Sequence, residues 1–212
     1  MLILGVDLRA SSKRPSTVVG LDRQSCVKFI DSFRDDQELV QIAECHKPEL
    51  IAIGAPLGLP AGLCCLETSC DCHFTVPLRK GRQSELELSR MGISCFFTNK
   101  GSIIRNLIYR SMELSRLLSG LGLEVIEAYP HATKVILFGD KVPPKNSAES
   151  LVFLKERLDP LIQGLSPHLD GLDRNTCDAV LNAYTGFLHT QDATDTLGTP
   201  EEGRVVLPKL PC

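Results

Sequence analysis

The sequence predicts an α/β protein: a mixed sheet with helices on both faces and a cysteine-rich insertion. Three strand-type runs open the chain, strand and helix patterns then alternate, and a stretch rich in Gly, Pro and Cys interrupts the alternation. With 212 residues, 43% of them apolar, the chain is long enough to bury a full core. The expected organisation is one domain over 1–212 with the insertion or lid at 55–101.

The first run, "MLILGVDLRA", alternates and is apolar enough for a central strand. "RPSTVVGLD" and "QSCVKFIDSF" read as two more strands joined by a tight turn near Asp22 to Gln24, so the three form an antiparallel meander. "DDQELVQIAECHKP" sets Leu39, Ile42 and Ala43 on one helical face behind an acidic N-terminus, and Pro48 stops the helix. The strand "ELIAIG" follows at once. Within the insertion, "QSELELSRMG" has the pattern of a short helix.

Beyond it, "IIRNLIYRSMELSRLLSGLG" carries a helical apolar stripe through Ile104, Leu107, Ile108, Met112, Leu114, Leu117 and Leu118, closed by Gly120 and Gly122. "LEVIEAYP" is the next strand. "HATKVILFG", "SAESLVFLKERLDPLI" and "NTCDAVLNAYTGFLHT" read as helices, the last with Thr176 or Asn175 near its cap, and the tail "EEGRVVLP" is extended along a sheet edge. No internal repeat interrupts this order.

A formal net charge of −3 provides no global attraction to nucleic acid or an anionic membrane, so any phosphate-binding surface must be local. No apolar run approaches the roughly 20 residues of a membrane helix, and "MLILGVDL" reaches Asp7 too early for a secretory signal. The expectation is a cytoplasmic protein. Its nine cysteines are an odd number without an export signal, which favours free or metal-bound thiols over a disulfide framework. In "CCLETSCDCHF", Cys70-x-Cys72 with Cys65 before it and Cys95 farther on can supply four thiolates to a structural Zn²⁺, with His73 as a substitute ligand. The same thiols also suit an iron–sulfur cluster, or stay reduced and unligated in a lid.

Three carboxylates stand out as candidate catalytic groups. Asp7 lies in an apolar strand, where a charge is costly unless paired or bound to a metal. Glu127 ends the strand "LEVIE", at the carboxyl end where open α/β sheets place their sites. Asp178 lies near the start of an apolar helix, with Asn175 and Asn182 on its face. Each has a plain structural reading as a cap or ion-pair partner. Together they can hold Mg²⁺ or Mn²⁺, hard cations that prefer oxygen, and align water against a phosphodiester.

The segments "GVDLRAS", "APLGLP", "RKGRQSELELSRMGI", "VIEAYPHA", "CDAVLNAYTG" and "LGTPEEGRVVLP", in that order, resemble a group of predicted nucleases with a ribonuclease H-like fold. The resemblance spans nearly the whole chain. It implies a five-stranded sheet of order 3-2-1-4-5 with Asp7 on the central strand, and it implies no particular substrate. In that family the strand matching "IAIG" typically ends in an acid before "APL", where this chain has Gly54. Arg82 falls in a part of the chain that resembles the family's Arg-x-x-acid element, with Glu85 as its helical-turn partner; Arg105 and Lys145 are further candidates for gripping phosphate. His131 is a candidate acid or base, or a packing histidine. Three function classes follow: a metal-dependent nuclease or phosphohydrolase, a catalytically degenerate nucleotide or nucleic-acid binding module, and a protein whose cysteine-rich insert docks a partner.

Overall fold

The computed structural model describes residues 2–70, 72, 80–139, 142–144 and 147–210; Lys145 and His73 lie outside the described residues. Strands β1 (Leu2–Asp7), β2 (Ser16–Asp22) and β3 (Val27–Phe33) form the expected antiparallel meander. The turn between β2 and β3 is built by Asp22, whose carboxylate accepts from Gln24 N at 2.9 Å and Cys26 N at 3.0 Å. Helix α1 (Asp36–His46) starts where Asp35 accepts from Glu38 N and stops at Lys47, whose φ of 49° turns the chain before Pro48. β4 (Leu50–Ile53) then enters the sheet parallel to β1.

The 55–101 segment contains the expected short helix, α2 (Gln83–Arg90). α3 (Arg105–Gly120) leads into β5 (Glu124–Ala128), parallel to β4. α4 (Pro130–Phe138), α5 (Ala148–Leu158) and α6 (Arg174–Thr190) follow. Asp173 caps α6, two residues before the expected Asn175 and three before Thr176, accepting from Thr176 N and Oγ1 at 2.8 Å each. Burial pushes the Asp173 carboxyl upward, but those bonds outweigh it and hold its pKa below the ordinary value.

The expected five strands are present in their expected order, but the sheet has seven: β3-β2-β1-β4-β5-β7-β6. β7 (Gly203–Pro208) buries Val205, Val206 and Leu207 and pairs parallel with β5 through Glu127↔Val205 and Ala128↔Val206. The tail is therefore an inner strand. β6 (Thr194–Thr199) folds back antiparallel on β7 as the new edge, too polar for hydrophobic alternation to reveal it. No described helix is long and apolar enough to cross a membrane.

Strand parity sorts the core into two layers. Leu4 and Val6 of β1 and Ile51 and Ile53 of β4 pack with Leu39 of α1 and Leu114 and Leu118 of α3. On the opposite face, Ile3, Leu50 and Ala52 meet Gly186 of α6, where an added Cβ would stand 2.7 Å from Ile3. α6 lies directly on β1, because a Cβ at Gly5 would stand 2.1 Å from Ala183 N and 2.2 Å from Ala179 O. The pairings Ile3 with Gly186 and Gly5 with Ala179 run in opposite chain directions. They carry Asp7, next on that face, toward the beginning of α6, where Asp178 stands.

This contact generates a prediction. Gly5→Ala forces helix backbone away from the central strand, and such overpacking costs about 1–3 kcal/mol or more. The expected result is a lowered thermal midpoint by calorimetry, with the far-ultraviolet spectrum retained below the transition.

Candidate functional site

A cavity of about 550 Å³ opens at the carboxyl ends of β1, β4 and β5, and Asp7, Glu127 and Asp178 all line it. They do not form one three-ligand cluster. Among the described residues, the groups of three or more possible ligand atoms lying within 4.8 Å of one another reduce to a set of cysteines. The physical reason is strand parity. Ile126 and Ala128 of β5 join the α6 layer, which sends Glu127 to the α3 face, opposite Asp7 and Asp178.

Glu127 is also committed elsewhere. Its Oε1 accepts from Arg82 Nη2 at 2.6 Å, and its Oε2 accepts from Arg82 Nη1 and from Leu57 N, each at 2.8 Å. The remaining edge of the guanidinium donates from Nε to Glu85 Oε1 at 2.9 Å, and Nη1 also reaches Glu202 O at 3.3 Å. Glu85 in turn accepts from Thr98 N at 2.7 Å and Thr98 Oγ1 at 2.6 Å. Arg82 is 1% exposed, Glu85 2% and Glu127 5%, so the network is dry. Burial alone would lower the Arg82 pKa, but the charges of Glu127 and Glu85 outweigh it and hold the guanidinium ionised. Expected as a phosphate grip, Arg82 is instead the hub of an internal ion-pair network, and its pairing with Glu85 is the plain structural alternative.

Asp178 has a partner that sequence reasoning missed. Lys134 of α4 donates from Nζ to Asp178 Oδ1 at 2.8 Å, with both residues buried. The same two helices are tied at Thr133 and Thr185, whose hydroxyls lie 2.9 Å apart. A signal existed in the sequence: Lys134 is the one charged residue in the apolar helix "PHATKVILF".

Gly54 lies on the same face as Asp7, at the position where the resemblance implies an acid. A Cβ there would lie 2.3 Å from Asn182 Nδ2, and that amide donates to Val6 O at 2.9 Å. Asn182 therefore fills the space a side chain at 54 would need. Its Oδ1 is buried with no hydrogen-bond partner among the described residues.

Of the other basic candidates, Arg105 points elsewhere, paired with Glu67 at 3.1 Å on the surface. Arg9, not expected in this role, lines the cavity, and its buried Nε has no partner among the described residues. His131 also lines it, with Nε2 3.3 Å from Ser94 Oγ. Tyr129 donates its hydroxyl to Ser94 O at 2.8 Å, and burial raises its pKa above the ordinary phenol value.

The cysteine set differs from the expected one by one member. Cys64, Cys65, Cys70 and Cys72 bring their sulfurs within 4.8 Å of one another. Cys95 stands apart, its Sγ contacting Glu85 O at 3.6 Å and its thiol pushed up to about 11 by burial and the nearby Glu85 charge. Within the cluster the protons are unequally held. A backbone N–H of Cys64 directed at Cys72 brings that thiol down to about 6, while the hydrogen bonds that the Cys64 thiol donates to Cys72 and Cys70 push it up to about 12.

The fold and its site define an α/β protein with a mixed, mostly parallel-cored sheet and a cavity at the carboxyl ends of its central strands. The chain is similar in structure to Thermus thermophilus RuvC, with a TM-score of 0.48 and 10% identity over 91% of this chain and 97% of that one. No protein-family model and no curated protein matches it.

The buried network yields a graded expectation for stability. Arg82→Met strands two buried carboxylates and lowers unfolding free energy by about 3–5 kcal/mol. Glu127→Gln keeps the shape and an acceptor for Leu57 N, and costs less, about 1.5–3 kcal/mol. Urea denaturation of the two variants beside the parent protein checks the order.

Proposed function

We propose that the cavity binds and hydrolyses a phosphoester, making the protein a divalent-cation-dependent nuclease or phosphohydrolase of the ribonuclease H-like kind. The observation that carries this reading is the placement of Asp7 and Asp178. They come from the central strand and the helix laid across it, share one face of the sheet, and line one cavity with Arg9 and Lys134. Two carboxylates suit Mg²⁺ or Mn²⁺, which complete their shells with water and substrate oxygens. Glu127 does not fit as a third ligand, since Arg82 and Leu57 N occupy its oxygens. When bound, the cation supplies Lewis-acid charge to the phosphoryl group and activates water.

The chain's own residues do the remaining work. Lys134 fixes the orientation of the Asp178 carboxylate by donating to its Oδ1. Arg9 offers a guanidinium to a phosphate oxygen, a geometry suited to bidentate grip. Phe96, 62% exposed on the cavity wall, offers a face on which a base can stack, which favours a nucleotide or nucleic-acid substrate over a simple phosphoester. With a net charge of −3, the substrate is held by this local set rather than by a broad basic surface.

A second reading, a binding module without hydrolysis, is favoured by two specific features: the acid-free Gly54 filled over by Asn182, and the committed Glu127. One experiment separates the two. Cleavage of single-stranded, duplex and hybrid oligonucleotides, and of a generic phosphodiester, is measured with and without Mg²⁺ or Mn²⁺ for the parent protein, Asp7→Asn and Asp178→Asn. Hydrolysis requires added cation and falls roughly 10²-fold or more in each variant. A parent protein as inactive as Asp7→Asn, yet still binding the same oligonucleotides, establishes the module instead.

A further inference from the structure

We infer that Cys64, Cys65, Cys70 and Cys72 hold one Zn²⁺ as a four-thiolate structural site, separate from the carboxylate cavity. All four sulfurs lie within 4.8 Å of one another, and Cys64 Sγ and Cys70 Sγ are 3.7 Å apart. Zinc–sulfur bonds of about 2.3 Å in tetrahedral array put neighbouring sulfurs about 3.8 Å apart, so the observed separation matches one edge of such a site. A disulfide would need about 2.0 Å between sulfurs. A cluster of two or more irons would spread the cysteine sulfurs around separate metal atoms, whereas here all four lie within 4.8 Å of one another. Soft thiolates select zinc over the hard cations suited to the carboxylates.

The surroundings fit a site whose purpose is to fold a segment. From Pro56 to Cys72 the described chain has no helix or strand. Its apolar anchorage is small: Leu63 and Leu66 pack on Ile108 of α3, with Ile104 and Tyr109 beside them. The backbone is pinned next to the cysteines, where Leu66 N donates to the Tyr109 hydroxyl at 2.6 Å and Gly101 N to Leu66 O at 2.9 Å. Lys100 Nζ donates to Cys70 O, setting a positive charge beside four thiolates. A metal adds the free energy that this little apolar surface does not. Ile104 belongs both to the patch under the cysteines and to the cavity wall, so the ion also steadies one side of the candidate active site. Cys64 is exposed and the other three half-buried, which leaves the ion a route in.

The test begins with the unmodified protein. Elemental analysis after purification without added metal is expected to give one zinc per chain, and absorption at the zinc edge four sulfur neighbours at about 2.3 Å. Cys64→Ser and Cys70→Ser are expected to lower zinc content and thermal midpoint, while Cys95→Ser keeps the zinc. Should the ligand variants fail to fold, cobalt exchanged into the parent protein is expected to show the intense thiolate charge-transfer bands of a tetrahedral four-sulfur site. Zinc-free protein whose midpoint is unmoved by added zinc would overturn the assignment. So would iron in place of zinc, a disulfide among these four residues by mass mapping, or loss of zinc in Cys95→Ser alone.

Discussion

The guanidinium of Arg82 is the interaction on which the arrangement around the cavity depends. It is 1% exposed and binds Glu127 of β5 with both Nη atoms, Glu85 of its own helix with Nε, and the backbone of Glu202 in the β6–β7 turn. Three parts of the chain far apart in sequence are thereby fixed to one planar ion. Glu202 reinforces the tie, its carboxylate accepting from Ala61 N at 2.8 Å and Gln83 N at 2.6 Å. Desolvating a charge is repaid only when its hydrogen-bonding groups find partners, and here four of the five guanidinium N–H groups do. The network holds the 55–101 segment against the sheet and so shapes the cavity's wall.

On the other face, packing rather than charge sets the geometry. Gly5 lets the backbone of α6 lie on β1, which brings the start of α6 to the end of the central strand. Asp7 and Asp178 line one cavity as a consequence of that contact. Lys134 then balances Asp178 from α4. The cavity accordingly presents acids and cations in near balance.

The two sets of possible metal ligands are divided by chemistry and by place. Oxygen donors stand at strand ends on a rigid sheet, and sulfur donors stand in a segment without regular structure, folded over the start of α3. Oxygen donors of this kind suit a hard cation and sulfur donors a soft one. The link between them is Ile104, shared by both environments.

Much of the fold was legible in the chain itself. Alternation in "LILGVD" and "STVVGLD", the stripe of α3, and the stops at Pro48 and Gly122 are local signals, because side-chain period and turn chemistry are properties of neighbouring residues. The location of the acids at strand ends was legible for the same reason. Which face each acid takes was not: Glu127 faces away from Asp7 because of the register of β5 beside β4, a long-range pairing. Nor could the sequence reveal that Arg82 spends its charge inside the protein, that Lys134 reaches Asp178, that Cys64 rather than Cys95 joins the cysteine cluster, or that the polar run Thr194–Thr199 is a strand. Those outcomes depend on residues brought together from distant parts of the chain, and only the packing of β5, β7, α4 and α6 decides which of them meet.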